Sequence, residues 1–365
     1  VGVVSEALFR CAARETAARC EAAGPEACMN VAQVLSAMHA ARIEEPHLLE
    51  AAARCFLQFE GSIGARELIV LANAAALYAD RVGSVAAAWW PPLEAALSAR
   101  VLEPLLGVLR PARSGPGPPS ERAAEAWTRL DAVVGPLDFE HLGVHFTARL
   151  LRESGLAAEV GGDGVAIGGA SGLSAAPPWA AAAAQACADE RARIVQEPTE
   201  QPQKLSRQLD KVNKREIVAW VSFEVWVASV ASPQQRQRLA EPGRTCSWRP
   251  DFEEQAGRSS LLRPLMTKSR QGATLIGEHD RSGHAERGAL LEVADSWLAA
   301  VPGGSGRGAS AHEVSGSLRL YVTHFPCISC IGVISQFACL FPGVSLAVSF
   351  ADGRAALCRS LERLS

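Results

Sequence analysis

Residues Ser317–Phe350 read SLRLYVTHFPCISCIGVISQFACLFPGVSLAVSF. SLRLYVTHF (Ser317–Phe325) has the β-branched and aromatic character of a strand, and VSLAVSF (Val344–Phe350) has it again. Between them Cys327–Leu340 is apolar and long enough for a helix. Strand, helix and strand in succession predict an α/β sheet flanked by helices. Cys327 and Cys330 stand three residues apart where that helix begins. Pro326 suits a first helical turn, so both cysteines can point at one ion, and the helix N-terminus favours their thiolate form.

Working outward, GHAERGALLEV (Gly283–Val293) lies upstream, and His284 is 43 residues before Cys327. Gly283–Ala299 is predicted to be a helix that His284 opens, ATLIGEHD before it a short strand, and Gly353–Leu364 a closing helix. IVAWVSFEVWVASV (Ile217–Val230) is rich in β-branched and aromatic residues and reads equally as a buried helix or a strand. His284, Cys327 and Cys330 supply one nitrogen and two sulfurs, a donor set that zinc prefers. A structural zinc site uses four protein ligands, whereas three leave a position for water. Glu286, two residues from His284, is then a free carboxylate able to take a proton from that water and deliver it to a ring nitrogen and a leaving amine. Hydrolytic deamination of an amino-substituted pyrimidine or purine needs such a shuttle.

His284-Ala285-Glu286 followed by Pro326-Cys327-Ile328-Ser329-Cys330 resembles the zinc-dependent cytidine/deoxycytidylate deaminase superfamily, whose signature is H-x-E…P-C-x-x-C. The order helix, strand, helix, strand is also similar, and the likeness covers roughly residues 206–365. The resemblance implies that His284, Cys327 and Cys330 bind Zn²⁺, that Glu286 is the catalytic proton shuttle, and that the backbone near Ala285 and Cys327 helps to hold the base. Phe325 either stacks on that base or packs in the core. His324 either lines the pocket or is a satisfied strand histidine. Homo-oligomers are common in that superfamily. The interval between the motifs departs from its pattern in a Gly/Ser-rich stretch, PGGSGRGASAHEVSG (Pro302–Gly316), whose Ala311-His312-Glu313 mimics half of the signature in loop sequence.

Residues 1–160 read as helix after helix. Val31–Ile43 with Leu48–Leu57, Ile69–Val82 with Leu93–Leu102, and a weaker pair within Ala123–Arg152 suggest helical repeats. An irregular bundle is the alternative. The pattern somewhat resembles the helical-repeat arrays of organelle RNA-binding proteins. PARSGPGPPS (Pro111–Ser120) is a loop, and GGDGVAIGGASGLSAAPP (Gly161–Pro178) begins a flexible linker taken to run from 161 to 205. The expected organisation is therefore an all-α N-terminal region, a linker, and a zinc domain with a mixed sheet over residues 206–365.

The chain has 365 residues, 48% of them hydrophobic and 21% charged, as in ordinary globular proteins. Lacking a run of eighteen apolar residues, it is not expected to span a membrane. It starts at Val1 rather than Met, which reads as a fragment or trimmed product. Residues 1–205 carry 17 Lys and Arg against 24 Asp and Glu, whereas residues 206–365 carry 19 against 15. A basic run, KLSRQLDKVNKR (Lys204–Arg215), reads as a solvated helix face or as a phosphate-contacting patch. Of the ten cysteines only Cys327 and Cys330 show ligand spacing, so the expected setting is intracellular and reducing, cytoplasm or organelle. Trp220, Trp226 and Trp248 are core residues or stacking platforms for single-stranded nucleic acid, with core favoured. The expected activity is zinc-dependent deamination of a cytidine-type base, within RNA in preference to a free nucleotide. Adenosine deamination and a non-catalytic zinc-binding module are the alternatives.

Overall fold

The computed structural model describes residues 6–20, 24, 26–40, 46–78, 91–110, 117–134, 142–157, 159–162, 177–196, 217–229, 232–247, 261–265, 267–271, 274–279, 284–300 and 314–351. The basic run at 204–215, Trp248, the His312 loop and the closing helix at 353–364 lie outside the described residues. The chain forms two compact units. One comprises residues 1–104 with 165–173 and 353–365, the other residues 105–164 with 174–352.

The first unit contains helices α1 (Glu6–Cys20), α2 (Glu26–Ala40), α3 (Pro46–Phe59) and α4 (Ala65–Tyr78). Their three- and four-residue apolar spacing buries Val31, Leu35, Met38, Leu48, Phe56, Leu68 and Leu71. The side chain of Arg100 donates to the carbonyls of Glu60 and Ile63 and so holds the turn that links α3 to α4.

The second unit adds α5 (Glu103–Leu109), most of which belongs to it, α6 (Pro119–Val134), α7 (Val144–Glu153), α8 (Pro178–Gln196), α9 (Ala285–Ala300) and α10 (Ile328–Leu340). Its strands are β1 (Glu159–Gly162), β2 (Val218–Ser229), β3 (Ser232–Ser247), β4 (Thr267–Gln271), β5 (Thr274–His279), β6 (Val314–Val322) and β7 (Gly343–Phe350). Five of them form one mixed sheet in the order β1-β7-β6-β2-β3. β7 runs parallel to β6 and β1, and β2 runs antiparallel to β6 and β3. β4 and β5 form a separate antiparallel pair.

The ambiguous stretch is therefore a strand over Val218–Ser229, and its two faces meet different partners. Val221, Val225 and Val227 are buried, and Phe223 meets Trp297 of α9 edge-on at 5.1 Å. Trp297 in turn contacts Phe337 and Phe341, which closes an aromatic core over that face of the sheet. On the opposite face Trp220 stacks on Trp179 of α8 at 6.1 Å, with Ala180, Ala183, Cys187 and Tyr321 buried around them.

Two expectations differ from what is found. The stretch read as linker from 161 to 205 contains α8, because its alanines lose little entropy in a helix and cover the sheet closely. The helices read as a third repeat belong to the sheet unit, where α6 packs on α10 and α7 on β1. Amphipathic periodicity requires an apolar partner but does not identify it. At the α6–α10 contact Gly332 permits the approach, since a Cβ there would lie 2.8 Å from Leu130 Cδ2. Among the described residues no helix is long and apolar enough to cross a membrane.

Candidate metal centre

β6 ends at Val322, and a short turn through Thr323–Pro326 delivers the chain to α10. Cys327 is the extended N-cap of α10, with Pro326 just outside the first turn rather than within it, and the Cys327 carbonyl accepts the first helical bond from Ile331 at 3.0 Å. His284 stands in the same place ahead of α9, where its carbonyl accepts from Gly288 at 3.0 Å. Cys330 lies in the first turn of α10.

These placements bring three donor atoms into a triangle. His284 Nδ1 is 3.3 Å from Cys330 Sγ and 3.6 Å from Cys327 Sγ, and the two sulfurs are 3.6 Å apart. A tetrahedral zinc at its usual bond lengths sets two sulfurs about 3.7 Å apart and each sulfur about 3.6 Å from the nitrogen. The residues therefore fit the ion. Both cysteines are buried and unpaired by disulfide, and His284 is half-buried. Among the described residues this is the one group of three His, Cys, Asp or Glu side chains gathered closely enough to hold a metal.

Glu286 is buried within the first turn of α9. Burial pushes its carboxyl up, opposed by the nearby His284. The Cys330 thiol interacts with its carboxylate, while Oε2 has no hydrogen-bond partner. Burial, with the neighbouring Cys327, likewise holds the Cys330 thiol far above its ordinary range. A cation among these groups reverses that balance, because coordinated thiols give up their protons.

Ala285 is buried and opens α9 beside the triangle. Phe325 is half-buried in the turn before Cys327, with its ring 4.2 Å from that of His324. Trp220 is buried, whereas Trp226 is exposed.

Reasoning from sequence missed the device that holds the two helices in register. Leu261–Leu265 runs between them and is tied to both. Arg287 Nε donates to the Leu262 carbonyl at 2.8 Å, and the Leu265 N–H donates to Ser329 Oγ at 2.9 Å. Gln336 bonds Arg263 through both backbone groups, accepting from its N–H at 2.9 Å and donating to its carbonyl at 2.8 Å. From α6, Trp127 Nε1 donates to the Pro264 carbonyl at 3.2 Å. Ser329, Ser335 and Gln336 are the hydroxyl and amide residues of an otherwise apolar buried helix, and the first and last of them make these ties.

No protein family, characterised protein or solved structure matches this chain.

Proposed function

We propose that this chain is a zinc-dependent hydrolytic deaminase acting on a nucleobase, cytidine in type. The observation that supports it is Glu286: a buried carboxylate with one oxygen unpartnered, set beside a His/Cys/Cys triangle of zinc dimensions. His284, Cys327 and Cys330 would hold the ion and leave its fourth position open. Zinc, when bound there, supplies a Lewis acid that makes water a nucleophile at neutral pH. Glu286 takes a proton from the attacking water, passes it to the ring nitrogen, and carries a second proton to the departing amine. Ala285, buried and next to Glu286 in sequence, and the half-buried Phe325 would help to hold the base and keep competing water from it.

The test is an assay of zinc-loaded protein against cytidine, deoxycytidine monophosphate, adenosine and single-stranded RNA, with metal content measured alongside. Product from one of them, abolished in Glu286→Ala while zinc is retained, is the expected result. Zinc bound with every substrate untouched would overturn the reading in favour of a non-catalytic zinc module.

A further inference from the structure

Among the described residues three large hydrophobic side chains stand exposed, and Trp226 is the one in the sheet unit, at 38% exposure. It lies on the sheet face that α8 covers at one end through Trp220 and Trp179. Beyond α8 Trp226, Arg319, Ser317 and Ser345 of that face are exposed. The strand register sets Arg238 directly opposite Trp226, and Arg236 two residues further along the edge strand β3. Arg319 on β6 is opposite Ser222, which places it about 13 Å from Trp226 along the strand direction. All three arginines are exposed, and the Arg319 guanidinium lies 6.0 Å over the ring of Trp179.

The strands bring two acids to this face: Glu224, which is 2.9 Å from Arg238 in an exposed ion pair of the kind that contributes little, and Glu159 of β1, which the register sets in one row with Ala347 and Arg319. The neighbouring α8 carries Asp189 and Glu190 against Arg191 and Arg193, so it leaves the balance unchanged. Three arginines against two acids leave the face net positive, with an accessible indole at one end and an arginine-capped indole at the other. Serines fill the space between them, with Ser317 and Ser345 exposed. A protein partner would be expected to meet more apolar area than one indole among serines.

We propose that this sheet face binds single-stranded nucleic acid, with a base stacked on Trp226 and phosphates held by Arg236, Arg238 and Arg319. Unpaired bases expose a ring face for an indole to stack on, whereas a duplex buries its ring faces in its own stack. As an account of the substrate this rests on the deaminase reading. As an account of binding it stands without it, because the test below reads complex formation and needs no turnover.

The zinc-loaded full chain is titrated by fluorescence anisotropy against a short labelled single-stranded RNA of mixed sequence and against the same RNA annealed to its complement, at several salt concentrations. Binding of the single strand in preference to the duplex is expected, with affinity falling linearly on a logarithmic salt scale. Trp226→Ala should weaken it on the order of tenfold and Trp226→Phe should restore most of the loss. Arg236→Gln with Arg238→Gln should weaken it and flatten the salt slope, while bound zinc stays unchanged as the sign of an intact fold. Absence of binding, affinities unaffected by these variants, or equal affinity for the duplex would each overturn the proposal. A Trp226→Ala variant that alters oligomeric state but not RNA affinity would overturn it too, and would make the face a contact between copies.

Discussion

Arg287, the residue that follows Glu286, donates from Nε to the carbonyl of Leu262 at 2.8 Å. That bond ties the helix bearing His284 and Glu286 to the segment that Ser329 and Gln336 tie to the helix bearing Cys330. The two halves of the candidate metal centre are thereby held by a third piece of chain that lies outside the His284/Cys327/Cys330 group.

Ser329→Ala removes the acceptor of a buried backbone N–H at Leu265. A buried donor left without a partner costs about 1–3 kcal/mol. Denaturant titration should show that loss, and cobalt substituted for zinc should show a disturbed ligand field in its visible spectrum. A variant of unchanged stability and unchanged spectrum would remove the segment from any positioning role.

Removal of the metal should destabilise the sheet unit. A ligand that binds only the folded state stabilises it by mass action, and thiolate sites lose that contribution when chelated. Treatment with a strong chelator is expected to lower the melting temperature of the parent protein and to leave Cys327→Ser, already without bound zinc, where it was. Equal shifts in both would place the chelator's effect elsewhere.

Gly332→Val should weaken the α6–α10 contact. Its side chain would enter the space of Leu130 and Leu265, whose nearest atoms lie 2.8 and 3.2 Å from a Cβ at this position. Overpacking of this kind costs about 1–3 kcal/mol, more than the better helix propensity of valine over glycine returns. Thermal unfolding checks the sign.

Cys187 makes stability depend on alkali. Burial between α8 and the sheet pushes its thiol from the ordinary 9.0 up to about 12, with Arg191 pulling the other way. Between those values the folded state holds a proton that the unfolded chain has lost. Stability from this group is therefore complete below about pH 9 and declines as the pH rises towards about 12. Unfolding free energies measured on either side of pH 9 should fall more steeply for the parent protein than for Cys187→Ala. Parallel slopes would refute the assignment.

Much of the second unit was legible in the sequence because its signals are local. The strand at 314–322, the helix at 328–340 and the strand at 343–350 each announce themselves by period, length and flanking Pro or Gly, and their bounds fall within three residues of those expected. The stretch at 217–230 was not legible in this way. Both its faces are largely apolar, so alternation alone left helix and strand open until β3 and β6 were seen to pair with it.

By itself the sequence singled out the candidate ligands His284, Cys327 and Cys330, with Glu286 beside them, because donor chemistry and spacing at helix starts are properties of the chain. The tertiary structure alone decided that the two helix starts meet at donor separations of 3.3 to 3.6 Å. It alone decided that α6 and α7 pack within the sheet unit rather than continue the helical region. It also separated Trp220, buried under α8, from Trp226, open to solvent. The physical reason is the same in each case. Hydrophobic burial is non-directional, so a local pattern states that a face must be covered, and only the packed chain says by what.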